Sequence, residues 1–302
     1  MKDHVYSAGY RRIAERAPRV HPARPIARTM LTLAWRKRST KFLLLLCLGV
    51  FLGHGAWMVF QLLVSRAQSM TQAVAPGMAE AMFGSAREVI ASYLTTQFYV
   101  TAFAIAGIAG GCVAEDRRVG AFDLVFARPL STLDYALGKL LGAGLVPVAT
   151  LVLPALLLWL IAVGIAPTAL RTELWWLIIP TVAGASLAAL FLTTCLVGLS
   201  AHCARASTVT VLFVAALVVG SGIVEGVATS GLEFVGYLGP ERDLRTVIDW
   251  LCAPQKSFTG GVVNLRGGLF NDSPLFSAVA VFGYIAAGLL ALRLRLRWEV
   301  VQ

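Results

Sequence analysis

Six stretches of this chain, 19 to 27 residues long, carry almost no charge, and no other feature constrains its fold so tightly. They cover 42–64, 94–114, 140–166, 174–200, 208–229 and 274–292, and the one Asp, Glu, Lys or Arg among them is Glu225. About 20 mostly apolar residues suffice for a helix to cross a bilayer. Backbone polar groups in lipid must be satisfied internally, which leaves helices or closed barrels. The runs are continuous rather than alternating, so they predict helices and not barrel strands. The expected fold is all-α: a polytopic membrane protein with six transmembrane helices. Composition agrees, at 58% hydrophobic and 14% charged over 302 residues. A soluble domain has roughly 45–50% apolar and about 25% charged residues. A cytosolic enzyme, a disordered chain and a small disulfide-stapled secreted domain are therefore excluded.

The net charge of +10 is placed for a membrane and not for nucleic acid, since 11 of the 26 Lys and Arg lie in residues 1–41. With the N-terminus inside, the inner segments (1–41, 115–139, 201–207, 293–302) carry 19 Lys and Arg and the outer ones 7. The positive-inside bias then predicts that both termini are cytoplasmic. Three parts follow. Residues 1–41 form a basic tail with an interfacial helix, and 42–292 form the six-helix domain. Residues 293–302 are a second basic tail. The first apolar run is too long, and its basic flank too extended, for a cleavable signal. Five cysteines (Cys47, Cys112, Cys195, Cys203, Cys252) form no CxxC pair and predict no metal site or disulfide framework. Cys252, in the outer loop, is an expected site of labelling from outside.

Between the spans, Ile26, Met30, Leu33 and Ala34 recur at helical spacing among Arg28, Arg36, Lys37, Arg38 and Lys41. That pattern predicts an amphipathic helix in the inner interface. Leu244, Val247, Ile248 and Leu251 predict a second one, resting on the outer membrane face within the long loop 230–273. A loop of that size can cap an exit path or bind a periplasmic partner, or serve only as a connector. Pro147, Pro154 and Pro180 predict kinks or local loosening in spans three and four. Gly107 with Gly111, and Gly222 with Gly226, have the four-residue spacing that lets helices approach closely in lipid.

The segment 115–142, EDRRVGAFDLVFARPLSTLDYALGKLLG, is the most informative. Val119, Phe122 and Phe126 make an apolar stripe, with Asp116, Arg117, Arg118 and Asp123 around it. Pro129 ends that helix, because the residue before proline is pushed out of helical angles. Ser131 and Asp134 form a capping box, with Leu130 and Tyr135 as a hydrophobic staple, at the start of a second helix. Leu133, Leu137, Leu140 and Leu141 carry this helix into the third span. The result is an elbow whose apolar face of Phe122 and Phe126 is large enough to fill a partner's groove.

Glu115, Asp116, Arg117, Gly120, Arg128, Pro129, Leu130, Ser131, Tyr135, Gly138 and Lys139 match the hallmark segment of a known family. The chain resembles the permease subunits of ATP-binding-cassette (ABC) transporters of the type-2 exporter class. Six spans, a basic lead-in helix and the short tail RLRLRWEVVQ fit the same layout. The resemblance implies that 115–139 is a cytoplasmic coupling segment contacting an ABC ATPase subunit, two copies of which would serve two permeases, identical or homologous. It implies a location in the cytoplasmic (inner) membrane of a bacterium or archaeon. No cofactor is expected on this chain, and ATP and Mg belong to the ATPase. A phosphate loop of the form GxxxxGK[ST] is absent: Gly138-Lys139 has Leu133 and Leu140 where Gly and Ser or Thr are needed. The permease itself is then non-catalytic.

Glu225 is the carboxylate inside a span. At ~1.5 Å per residue from Thr208 it lies about 26 Å along the helix, near the outer edge of a ~30 Å core. It either snorkels there or serves as a gate or substrate contact. His54 lies mid-span with no second histidine at its depth, so it reads as a packing residue. No Ser-His-Asp or paired-carboxylate set shares one depth, which excludes a membrane-embedded hydrolase. The alternative to an ABC permease is a secondary carrier or an assembly scaffold without an ATPase.

Overall fold

The structure is a computed structural model that describes residues 23–71, 86–122, 131–166, 168–230, 233–252 and 273–301. Six helices are long and apolar enough to cross a membrane: Arg38–Val64, Ala86–Arg118, Thr132–Ile165, Leu174–His202, Ala206–Ala228 and Pro274–Arg297, here spans one to six. The described residues contain no strand. This is a polytopic integral membrane protein. Span two is buried over most of its length and span four over much of its own, whereas spans one, five and six present most of their surface outward. The core therefore runs along spans two and four. Outward-facing aliphatic residues such as Leu45, Leu52, Val211 and Leu290 mark surfaces that lipid or protein must cover.

Spans four and six make the tightest helix pair. A Cβ on Gly198 would sit 2.5 Å from the Gly288 carbonyl oxygen, and one on Gly288 would sit 2.6 Å from that of Thr194. Two glycines facing each other bring the backbones into direct contact, so dispersion over the whole interface is gained. Of the expected glycine pairs, Gly107 packs on Leu43 of span one and Gly111 on Ala206 at the start of span five. A Cβ added at Gly222 or Gly226 would meet nothing within 4 Å among the described residues.

Pro180 goes with a break near the start of span four: one helix ends at Trp176, the next begins at Ile178, and Pro180 sits in the first turn of the second, where a missing N–H costs nothing. Two local expectations are corrected. The helix Pro240–Cys252 does form, but it is wedged into the bundle rather than laid on a membrane face. Its Leu244, Val247, Ile248 and Cys252 are buried, with Ile248 and Leu94 both against Gly184 of span four. Cys252 is fully buried and burial pushes its thiol up to about 12, so its labelling by an impermeant maleimide is expected to be slow.

Pro147 and Pro154 do loosen span three, in a specific way. Between them Val148–Val152 is a π-helical turn. Pro154 has no N–H to offer the carbonyl four residues back, that of Thr150. That carbonyl instead accepts from Tyr93 Oη at 3.2 Å and Gln97 Nε2 at 2.8 Å, both on span two. A second π turn, Ala216–Gly220, interrupts span five.

Candidate functional site: a charged elbow between spans two and three

Residues 114–122 and 131–139 lie at the end of the bundle where span one begins. The short helix Ala114–Arg118 starts with backbone N–H groups that no helical carbonyl can satisfy. Ser200 of span four, fully buried, takes two of them: its Oγ accepts from Val113 N at 3.1 Å and Ala114 N at 3.2 Å. Arg117 Nη1 donates to the Ala201 carbonyl at 2.7 Å. That carbonyl is one of the last in span four, where the helix dipole also favours a cation. Two side chains thus fasten the first half of the elbow to the end of span four.

The second half begins as its sequence predicts. Asp134 N donates to Ser131 Oγ at 3.0 Å and Ser131 N to Asp134 Oδ2 at 3.4 Å, a complete capping box. Such a cap contributes about 1 kcal/mol. One turn on, Lys139 Nζ pairs with Asp116 Oδ2 at 2.6 Å, and Tyr135 Oη donates to the same oxygen at 2.7 Å. Lys139 is 7% exposed, so this ion pair is held largely out of water. The Arg118–Glu115 pair at 3.0 Å is exposed on both sides and contributes only a few tenths of a kcal/mol.

Gly120 has φ +67°, a left-handed conformation that side chains with a Cβ rarely adopt, and it turns the chain after the short helix. The turn swings Phe122 inward. Its ring meets Tyr135 edge-on at 5.4 Å and the side chain is 7% exposed. This changes the expectation for the apolar stripe: Phe122 is packed within the elbow and does not project toward a partner groove. Among the described residues of the elbow the most exposed apolar ones are Val119, 67% exposed, and Leu133, 65% exposed. Phe126, Arg128 and Pro129 lie outside the described residues.

The lead-in helix, Ala23–Arg36, completes the assembly. It packs on the start of span three through Gly138 and Gly142. A Cβ on Gly138 would sit 2.8 Å from Ile26 Cβ, and one on Gly142 would sit 2.9 Å from Met30 Sδ and 3.2 Å from Ala27 Cα. Gly138 and Gly142 are therefore closeness residues, a four-residue pair that the sequence reading did not single out. Met30 and Ile26 were expected to face the membrane interface and are instead half-buried against span three. Lead-in helix, elbow and the end of span four form one connected unit.

A second polar cluster lies inside the bundle. Tyr93, Gln97 and Thr101 project from span two toward the π turn, and Thr101 Oγ1 is 3.1 Å from Thr150 Oγ1. His54 of span one stands edge-on to Tyr93 at 5.6 Å, and its Nδ1 is 3.0 Å from the Val50 carbonyl oxygen. The sequence held a signal for this cluster: polar residues at 93, 97 and 101 recur every fourth position in an apolar span. Glu225 is half-buried in the last turn of span five, at the opposite end from the elbow, and joins neither cluster. No protein-family model and no curated protein matches the chain.

Proposed function

We propose that this chain is the membrane-spanning permease subunit of an ABC transporter of the type-2 exporter class, driven by ATP hydrolysis on a separate cytoplasmic ATPase. Both termini and the elbow are then cytoplasmic, and two permeases, identical or homologous, pair with two ATPase subunits. The observation that carries the reading is the fastening of residues 114–122 and 131–139. Arg117 and Ser200 tie the elbow to span four, the Asp116–Lys139 pair ties it to span three, and Gly138 and Gly142 tie it to the lead-in helix. A push on such an elbow moves three elements together, which is what an engine outside the membrane requires. A plain connector needs no such ties. The resemblance of the segment to the family's coupling region supports the same conclusion, and the 19-to-7 distribution of Lys and Arg supports the orientation.

One observation speaks for a secondary carrier, the buried polar cluster of Tyr93, Gln97, Thr101 and Thr150. Its imidazole, His54, is hydrogen-bonded to the Val50 carbonyl of its own helix, and no carboxylate or amine joins the cluster among the described residues, so the ABC reading is preferred.

Orientation is checked by cysteine labelling in a variant without native cysteines. A cysteine replacing the exposed Ser230 should react with an impermeant maleimide on intact cells, whose outer membrane, if any, is permeabilised. One replacing the exposed Ser131 should react only after lysis. The reverse result inverts the orientation and removes the elbow from the ATPase side. The partner contact is tested by Val119→Asp with Leu133→Asp. Both residues are exposed, so the chain should insert and run as wild type on size exclusion. ATPase co-purification should fall at least about tenfold, since burying two charges without partners costs more than about 1.4 kcal/mol. Undiminished co-purification would refute an elbow contact.

A further inference from the structure

We propose that the junction between the lead-in helix and span one is a binding site for one anionic phospholipid, with an acyl chain seated beneath the lead-in helix and the phosphate held by the cations of residues 36–41. The inference does not rest on the transporter reading. A crevice of about 110 Å3 runs under the lead-in helix. Leu31 and Trp35 form one side, Leu44 and Ile108 of spans one and two the next, and Leu145 and Ala149 of span three the floor. This is well below the roughly 300 Å3 of a site for a whole small ligand. It matches a short run of methylenes entering from the bilayer.

Thr40 is the polar residue on the crevice wall. Its hydroxyl is buried and makes no hydrogen bond among the described residues. A hydroxyl left so in an apolar site is costly, and a phosphate or ester oxygen at the membrane interface would satisfy it. Thr40 sits at the first turn of the apolar run, the depth at which a lipid's glycerol and phosphate lie. The turn that joins Trp35 to Thr40 supplies the charge. Arg36, Lys37 and Arg38, followed by Lys41, are all exposed, and no carboxylate pairs with any of them among the described residues. Four cations at the mouth of an apolar crevice complement a headgroup bearing one or more negative charges, and each cation near an anionic surface favours it about fivefold.

The test reconstitutes the full chain in vesicles of phosphatidylcholine and phosphatidylglycerol in equal amounts. The protein is then extracted in mild detergent and its retained lipid weighed by mass spectrometry. Wild type should retain phosphatidylglycerol over phosphatidylcholine by about tenfold or more. Lys37→Gln with Arg38→Gln and Lys41→Gln should bring the ratio close to that of the vesicle. Arg293→Gln with Arg297→Gln, exposed cations at the same end, should change it less than about twofold. Ala149→Phe fills the crevice and should release the lipid although every cation remains. Should that variant fail to insert, Ala149→Leu reads the same point. Three results overturn the proposal: wild type retaining both lipids in the vesicle ratio, the triple variant keeping the wild-type preference, or the Arg293 and Arg297 pair mattering as much as the triple. A wild type that carries no lipid and covers Trp35 by self-association would put a second copy there instead, and would equally overturn it.

Discussion

Lys139→Ala should loosen the whole elbow while leaving the six spans inserted. The substitution removes the cation that faces Asp116 at 2.6 Å and leaves that carboxylate with the Tyr135 hydroxyl as its side-chain partner among the described residues. Breaking a buried pair from one side costs about 3–5 kcal/mol, and the partial exposure of Asp116 puts this case near the lower bound, about 3 kcal/mol. Amide exchange over residues 114–122 should accelerate about a hundredfold, and ATP-dependent activity of the assembled complex should fall to background. Asp116→Asn combined with Lys139→Met removes both charges and should recover a large part of the exchange protection, because no uncompensated ion remains. A single variant that costs less than about 0.5 kcal/mol would show that the pair holds nothing together.

Gly198→Leu should have the other large effect, and at the level of the fold. Its first side-chain carbon would fall within 2.5 Å of the Gly288 backbone, where only a shift of a whole helix makes room. Spans four and six would separate, and span four anchors the elbow through Ser200 and Ala201. The expected loss is about 3 kcal/mol or more, seen as aggregation of most of the protein on extraction. Gly283→Leu is the matched comparison. It lies on span six, the helix that carries Gly288, with nothing within 4 Å of its added carbon among the described residues, and should be tolerated within about 0.5 kcal/mol.

Much of this architecture is written in local pattern. Length and apolarity mark the six spans, though span two starts at Ala86 rather than 94, because Val89, Ile90 and Tyr93 are buried in the bundle and extend the helix past the purely apolar run. Ser131 and Asp134 are three residues apart in the chain, so their capping box is legible before any tertiary contact exists. What periodicity cannot tell is what covers a face. The stripe of Val119 and Phe122 is real, but the left-handed turn at Gly120 sends Phe122 onto Tyr135 and leaves Val119 outside. The same holds for Pro240–Cys252, whose apolar face pattern suits a membrane surface and a protein groove equally. Ser200 gives no sequence signal at all, since a lone serine at a helix end becomes a cap only when another chain segment brings its N–H groups there.

The packing of Phe122 also moves the partner surface. An account in which Phe122 enters an ATPase groove would require the elbow to open. An account built on Val119 and Leu133 does not, because both already face outward. Leu133 lies in the first turn after the capping box, so its position is fixed by the same bonds that start span three.

Photocrosslinking from position 119 tests the elbow as an ATPase contact most directly. With a benzophenone amino acid in place of Val119, irradiation of membranes from the native host should yield one main adduct. Its second component should be a soluble protein carrying the GxxxxGK[ST] phosphate loop that this chain lacks, and the same probe in place of the outward-facing Leu275, at the opposite end of the bundle, should not yield it. Adducts at position 119 with lipid alone, or with proteins that bear no such loop, would contradict the account.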